Sequence, residues 1–131
     1  MINNCTFCQI IKNEIKVKKV YENKYCIAFH DINPISKIHV LVIPRKHIRS
    51  VNYLGKNDGN VVESIFLSMP KIANILGIGK GYKILINTEK DGGQEIFHLH
   101  FHLLSGDFGL RKKYINSKIM KDSIPSNHIS D

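Results

Sequence analysis

Tryptophan is absent from this 131-residue chain, and cysteine and proline are scarce, at three and four copies. So few cysteines, and an odd number, exclude the disulfide framework of a small secreted domain and fit a reducing cytoplasm. Long apolar runs are also missing. The longest, residues 38–43, is interrupted by His39 and is far too short to cross a bilayer. The first residues, Met1-Ile2-Asn3-Asn4-Cys5, lack the basic-then-apolar pattern of a secretion signal, so a cytoplasmic location is expected. Internal repeats and low-complexity stretches are absent. Acidic residues are few, 11 against 19 basic ones, giving a net charge of +8. That balance suits phosphate-bearing partners. Lys, Asn and Ile are abundant together, however, as AT-rich coding alone would produce, and the basic residues are scattered. Charge therefore identifies no partner, and neither a nucleic acid nor a membrane is expected.

What is present suits one domain with a real core: 43% hydrophobic and 23% charged residues. Residues 17–22 and 25–29 read as strands around a turn at Asn23-Lys24, and 37–43 as a third strand ended by Pro44. Residues 57–76 carry Val61, Val62, Ile65, Phe66, Met69, Ile72, Ala73 and Leu76 at helical spacing, with Asp58 as N-cap and Gly77 as stop. Pro70 should kink or split that helix. Residues 82–87 read as a fourth strand, and Asp91-Gly92-Gly93 turns into a fifth. Residues 8–13 suit a short helix. Short turns between strands imply an antiparallel sheet with helices segregated against it, an α+β domain spanning 1–106. Residues 107–131 form a basic, polar tail.

The most informative segment is His98-Leu99-His100-Phe101-His102-Leu103-Leu104. Imidazoles alternate with apolar residues at the side-chain period of a strand, placing Leu99, Phe101 and Leu103 toward a core and the histidines on the opposite face. A rise of ~3.3 Å per residue puts neighbouring imidazoles about 7 Å apart and the outer pair about 13 Å apart. Three readings compete: a half-exposed strand that happens to carry His, a metal site, and acid, base or nucleophilic catalysis on an anionic substrate. Zinc–nitrogen bonds of about 2.0–2.1 Å prevent one ion from reaching both ends of the row, so at least one imidazole has another task.

The segment resembles the signature of the histidine triad (HIT) family, His-φ-His-φ-His-φ-φ with φ apolar. Phe29-His30-Asp31-Ile32-Asn33-Pro34, His39-Val40-Leu41-Val42-Ile43-Pro44, Lys46-His47-Ile48, Gly81-Tyr82, Asn87 and Asp91-Gly92-Gly93-Gln94 fall in the family's order and approximate spacing, covering residues 5–106. Leu103-Leu104-Ser105-Gly106 resembles the Hint branch more than the diadenosine-polyphosphate hydrolases. The resemblance implies a five-stranded antiparallel sheet with helices, extended across a two-fold axis in a homodimer. It also implies binding of a purine nucleoside monophosphate unit and cleavage at the α-phosphorus through a nucleotidyl-histidine intermediate.

By that resemblance His100 is the nucleophile, which must be neutral with its proton on the far nitrogen, held there by a backbone carbonyl. His102 is placed to donate to the leaving atom, and His39, on the neighbouring strand, to orient the row. The glycine turn would let backbone N–H groups approach phosphate oxygens, bringing in Gly93 and Gln94. Asn87 would contact the sugar–phosphate edge, Asp31 would accept from ribose hydroxyls, and Ile32 would flank the base. Asp31 is otherwise an ordinary turn residue. Glu95 departs from the family, where many members place Ser or Thr. An ionised carboxylate cannot donate to phosphate, so Glu95 is left out of the catalytic set.

Cys5-Thr6-Phe7-Cys8 is a C-x₂-C pair at zinc-chelating spacing that needs two further ligands. Resemblance to zinc-bearing HIT proteins points to His47 and His98. The zinc would be structural, with no organic cofactor expected. A redox dithiol and two buried free cysteines are the alternatives. Cys26 reads as core, His30 and His128 as surface. The expected activity is a phosphoramidase or nucleotidyl hydrolase, for example on AMP-amine conjugates. The runners-up are a dinucleoside polyphosphate hydrolase and a low-turnover nucleotide-binding scaffold.

Overall fold

The computed structural model describes residues 4–106; the tail from residue 107 on, His128 included, lies outside the described residues. Strands β1 (Lys19–Glu22), β2 (Cys26–His30), β3 (Ile38–Pro44), β4 (Lys83–Leu85) and β5 (Phe101–Ser105) form one antiparallel sheet in the order β1-β2-β3-β5-β4. The last strand is thus inserted between β3 and β4, beside the strand that carries His39. Helices α1 (Thr6–Ile11) and α2 (Gly59–Leu76) complete the α+β domain.

Alternation along the strands sorts the core into two layers. Cys26, Ala28, Val40, Val42, Leu99, Phe101 and Leu103 pack with Val61, Ile65, Met69 and Ile72 of α2. Ile27, Phe29, Leu41 and Ile43 pack on the other face with Phe7 and Ile10 of α1. Full burial of each large aliphatic or aromatic side chain contributes about 1.5–3 kcal/mol. Both faces are therefore covered, and the histidine face is no solvent face: His98 is 0% exposed and His100 8%.

Several local expectations change in detail. The Asn23 turn forms as read, with Asn23 Oδ1 accepting from the Tyr25 and Cys26 N–H groups. Pro70 does not split α2, which runs unbroken for 18 residues. Met69, Ile72 and Ala73 around it are buried, so tertiary packing holds the helix while Pro70 itself is exposed. Asp58 occupies the N-cap position of α2 without capping it. Its carboxylate instead accepts from the Gly55 N–H at 2.9 Å and from Lys46 at 2.6 Å. Gly77 ends the helix in the left-handed conformation that glycine favours, φ 70°. The fourth strand is shorter than the pattern suggests, and only His102 of the triad lies within β5. His98 sits at a bend and His100 in the irregular stretch before it, fixed by the Leu99 N–H donating to the Ile48 carbonyl at 2.7 Å. The described residues include no helix long and apolar enough to cross a membrane.

Candidate active site

Adjacency of β3 and β5 brings the histidines together, with Leu41 opposite His102 and His39 opposite Leu104. The His100 and His102 ring centres are 5.1 Å apart, closer than an ideal strand rise allows, because the rings tilt edge-to-face. His100 Nδ1 lies 2.8 Å from the His98 carbonyl oxygen. A carbonyl only accepts, so Nδ1 carries the proton and Nε2 keeps its lone pair. Burial lowers the basicity of His100 and keeps the ring neutral, although the carbonyl bond acts the other way.

A second chain of bonds fixes the neighbouring rings. The Ile35 N–H donates to His39 Nδ1 at 3.3 Å, which leaves the proton of neutral His39 on Nε2. That Nε2 donates to His102 Nδ1 at 3.0 Å, so the proton of neutral His102 is on Nε2. Burial, followed by the neighbouring His100 and His39, pushes His102 down to about 3. Burial likewise lowers His39, while Asp31 opposes that shift. Asp31 caps the Asn33 N–H with Oδ1 at 2.8 Å and holds Oδ2 3.4 Å from His39 Nε2. Asp31, His39 and His102 also lie close enough to share a metal ion. Binding there would need the His39 Nε2 lone pair, and the Ile35 bond opposes that tautomer.

These groups open onto a cavity of about 290 Å³. His39, His100, His102, Asp31, Asn87 and Gly93 are among its lining residues, so six of the residues expected at the site meet there. Two others do not. Gln94 is turned inward: its Oε1 accepts from the Glu89 N–H, and its Nε2 donates to the Arg49 and Ile96 carbonyls. Its own N–H is spent on the Glu89 carbonyl. In this structure the side chain and the amide of Gln94 are both bonded within the protein, away from the cavity. Ile32 is 85% exposed between the lining residues Asp31 and Asn33 and stands outside the lining. Glu95, set aside on chemical grounds, does line the cavity. Sequence reasoning missed the apolar wall of Phe7, Ile35, Leu41 and Ile96. Leu41 could have been found from its two-residue spacing to His39. Phe7 lies inside the C-x₂-C pair and meets His100 edge-on at 5.1 Å between ring centres.

Behind the cavity, donor atoms of Cys5, Cys8, His47 and His98 all lie within 4.8 Å of one another, so the four expected ligands can hold a metal ion. The contacts are Cys5 Sγ to His98 Nδ1, 3.4 Å; Cys8 Sγ to His47 Nδ1, 3.4 Å; and His47 Nδ1 to His98 Nδ1, 3.1 Å. His98 Nε2 donates to the Pro44 carbonyl at 2.9 Å, leaving Nδ1 as a bare lone pair aimed into the cluster. Burial pushes His98 down to about 4, which preserves that lone pair at neutral pH. Cys26 is fully buried, as expected of a core residue, and His30 is half-buried.

Comparison with known proteins agrees with this geometry. The HIT domain pattern matches residues 12–109. Protein HitA of Neisseria gonorrhoeae is 41% identical over 103 residues, 79% of this chain and 96% of that protein. A histidine triad protein from Clostridium difficile superposes with a TM-score of 0.77 at 38% identity, over 82% of this chain and 94% of that one. A HIT family hydrolase from Legionella pneumophila Philadelphia 1 superposes with a TM-score of 0.76 at 39% identity, over 79% and 94%. The domain match, this extent of identity and these superpositions leave one conclusion: the chain belongs to the HIT domain family.

Proposed function

We propose that this protein is a Hint-like nucleoside phosphoramidase or nucleotidyl hydrolase acting on purine nucleoside monophosphate conjugates. The observation that carries the reading is the tautomer of His100. With Nδ1–H tied to the His98 carbonyl, the Nε2 lone pair is the one available at the cavity. In the proposed first step it attacks the α-phosphorus, forming an N–P bond as the bond to the leaving amine breaks. His102, protonated to the cation as the substrate phosphate brings its negative charge into the cavity, gives its Nε2 proton to the departing amine and returns to neutral. Water, giving up a proton to His102, then attacks the phosphorus, breaks the N–P bond and releases the nucleoside monophosphate with His100 restored. Gly93 and Asn87 are assigned to the phosphate and its sugar edge, and Asp31 Oδ2 to the ribose hydroxyls. The base would lie between the apolar wall and the exposed Ile32.

Glu95 favours this substrate class over dinucleoside polyphosphates. A carboxylate lining the cavity repels an anionic leaving group and tolerates a neutral or cationic amine. A test compares kcat/KM on an adenosine phosphoramidate and a diadenosine polyphosphate, with His100→Ala as control. Wild-type turnover on the first that exceeds both supports the reading. Equal turnover by His100→Ala, or AMP binding with no turnover, replaces it with the scaffold alternative.

Zinc is the metal proposed for the Cys5, Cys8, His47 and His98 cluster. Zn–S bonds of about 2.3 Å and Zn–N bonds of about 2.0–2.1 Å at the tetrahedral angle require S···N separations of about 3.5 Å and N···N of about 3.3 Å. The contacts of 3.4 and 3.1 Å agree with that. When bound, zinc would tie the N-terminal segment to the triad segment and take no part in bond breaking. A homodimer is also proposed. Leu67, Ile75 and Phe66 are exposed apolar side chains of α2, at 61%, 56% and 45%, some of which a second copy would cover. Light scattering at micromolar concentration checks it.

A further inference from the structure

Glu89 has a backbone that its side chain does not favour. At φ 60° and ψ −179° it occupies a region populated almost only by glycine. Such a conformation persists only where its surroundings over-determine it, and here every polar group of the residue is engaged. Arg49 grips the carboxylate, Nε at 3.2 Å from both oxygens and Nη2 at 3.1 Å from one, and the Ser50 hydroxyl donates to it as well. The Glu89 N–H donates to Gln94 Oε1 at 2.7 Å, and its carbonyl accepts from the Gly92 and Gln94 N–H groups at 3.0 and 3.1 Å. Gln94 returns to the start of the ring by donating to the Arg49 carbonyl at 2.8 Å. The Arg49 guanidinium is steadied from the other side by the Phe97 ring, 4.3 Å away.

None of Arg49, Ser50, Glu89 and Gln94 lines the cavity, yet the turn they enclose runs from Asn87 to Gly93, which both do. The ion pair is partly exposed, Arg49 44% and Glu89 27%, so it adds little to stability. A strained residue held by a weakly stabilising clamp is better explained by what it positions. We propose that Glu89 is a positioning residue, which with Arg49, Ser50 and Gln94 fixes the 87–93 turn in the conformation that receives a substrate phosphate. This rests on the nucleotide reading of the cavity and deepens it. Glu89 acts through geometry and not through charge, since a carboxylate near the phosphate would by itself weaken binding.

The test measures, in the full chain, the Kd for AMP and for adenosine, which lacks the phosphate, by NMR titration of wild type, Glu89→Gly, Glu89→Gln and Arg49→Ala. The glycine variant relieves the strained φ while removing the clamp. Loss of positioning is expected to weaken AMP about tenfold in Glu89→Gly and in Arg49→Ala, less in Glu89→Gln, and to leave adenosine within about twofold. The Glu89→Gly/Arg49→Ala double variant should lose no more than either single one. Tighter AMP binding on removing the carboxylate, unchanged AMP affinity, or equal loss for both ligands would overturn the proposal. Wild type that binds neither ligand would instead overturn the nucleotide reading beneath it.

Discussion

The His98 backbone carbonyl accepts the Nδ1–H of His100 at 2.8 Å while the His98 side chain points the other way, into the cysteine cluster. One residue thus belongs to both sites, its ring to the cluster proposed to bind zinc and its carbonyl to the tautomer of the proposed nucleophile. Anything that unseats the His98 ring should also loosen the bond that keeps the His100 Nε2 lone pair free.

Metal removal is the first consequence. The protein is expected to carry about one zinc per chain by elemental analysis, and Cys5→Ser or Cys8→Ser to carry none. Chelation should lower the melting temperature and reduce kcat on the order of tenfold, with recovery on adding zinc back. Unchanged stability and rate after verified metal loss would separate the two sites.

Phe7 connects them a second time. Its ring meets His98, His100 and Phe29 edge-on, at 5.7, 5.1 and 6.0 Å between centres. Such pairs contribute about 0.5–1.5 kcal/mol beyond burial. Phe7→Leu should therefore cost about 1–2 kcal/mol in urea unfolding. Because the cavity also loses part of its apolar wall, kcat/KM should fall about tenfold.

The histidine row makes stability pH-dependent. His102, held at about 3 against an ordinary 6.5, stays neutral in the folded protein where the unfolded chain binds a proton. Stability is then full above pH 6.5 and falls as pH drops from there toward 3, by up to about 1.4 kcal/mol per unit from this group. His39, whose pKa is also lowered, acts in the same direction. The wild-type slope between pH 4.5 and 6.5 should therefore exceed that of His102→Gln, a difference that isolates the one imidazole. Equal slopes would mean that His102 is not held neutral.

In the proposed reaction Glu95 sets the leaving-group preference. Glu95→Ser removes a cavity carboxylate and supplies a donor. The ratio of kcat/KM for diadenosine polyphosphate over phosphoramidate should rise five- to tenfold, corresponding to roughly 1 kcal/mol of relieved repulsion in a solvated site. An unchanged ratio would remove Glu95 from the account of specificity.

Much of this was legible in the sequence. Alternation in His98-Leu99-His100-Phe101-His102 separated the apolar side chains from the histidines, and the C-x₂-C spacing marked half of a cluster able to hold a metal ion. The sequence could not show that β5 lies between β3 and β4, since strand order depends on non-local pairing, and that order is what sets His39 against His102. The inward turn of Gln94 was not legible, because a loop amide reads alike whether it faces a ligand or its own backbone. Glu89 was invisible for a related reason: nothing in Thr88-Glu89-Lys90 announces a left-handed φ without glycine. Pro70 misled because burial of its neighbours outweighs the helix preference of one residue.

The most direct measurement is a rapid-quench experiment on an adenosine phosphoramidate labelled at the α-phosphorus, with the quenched protein digested and mapped. The account predicts a transient, acid-labile and base-stable adduct of one nucleotidyl group on the peptide containing His100, absent from His100→Gln. Full turnover with no adduct, or an adduct on another residue, would contradict it.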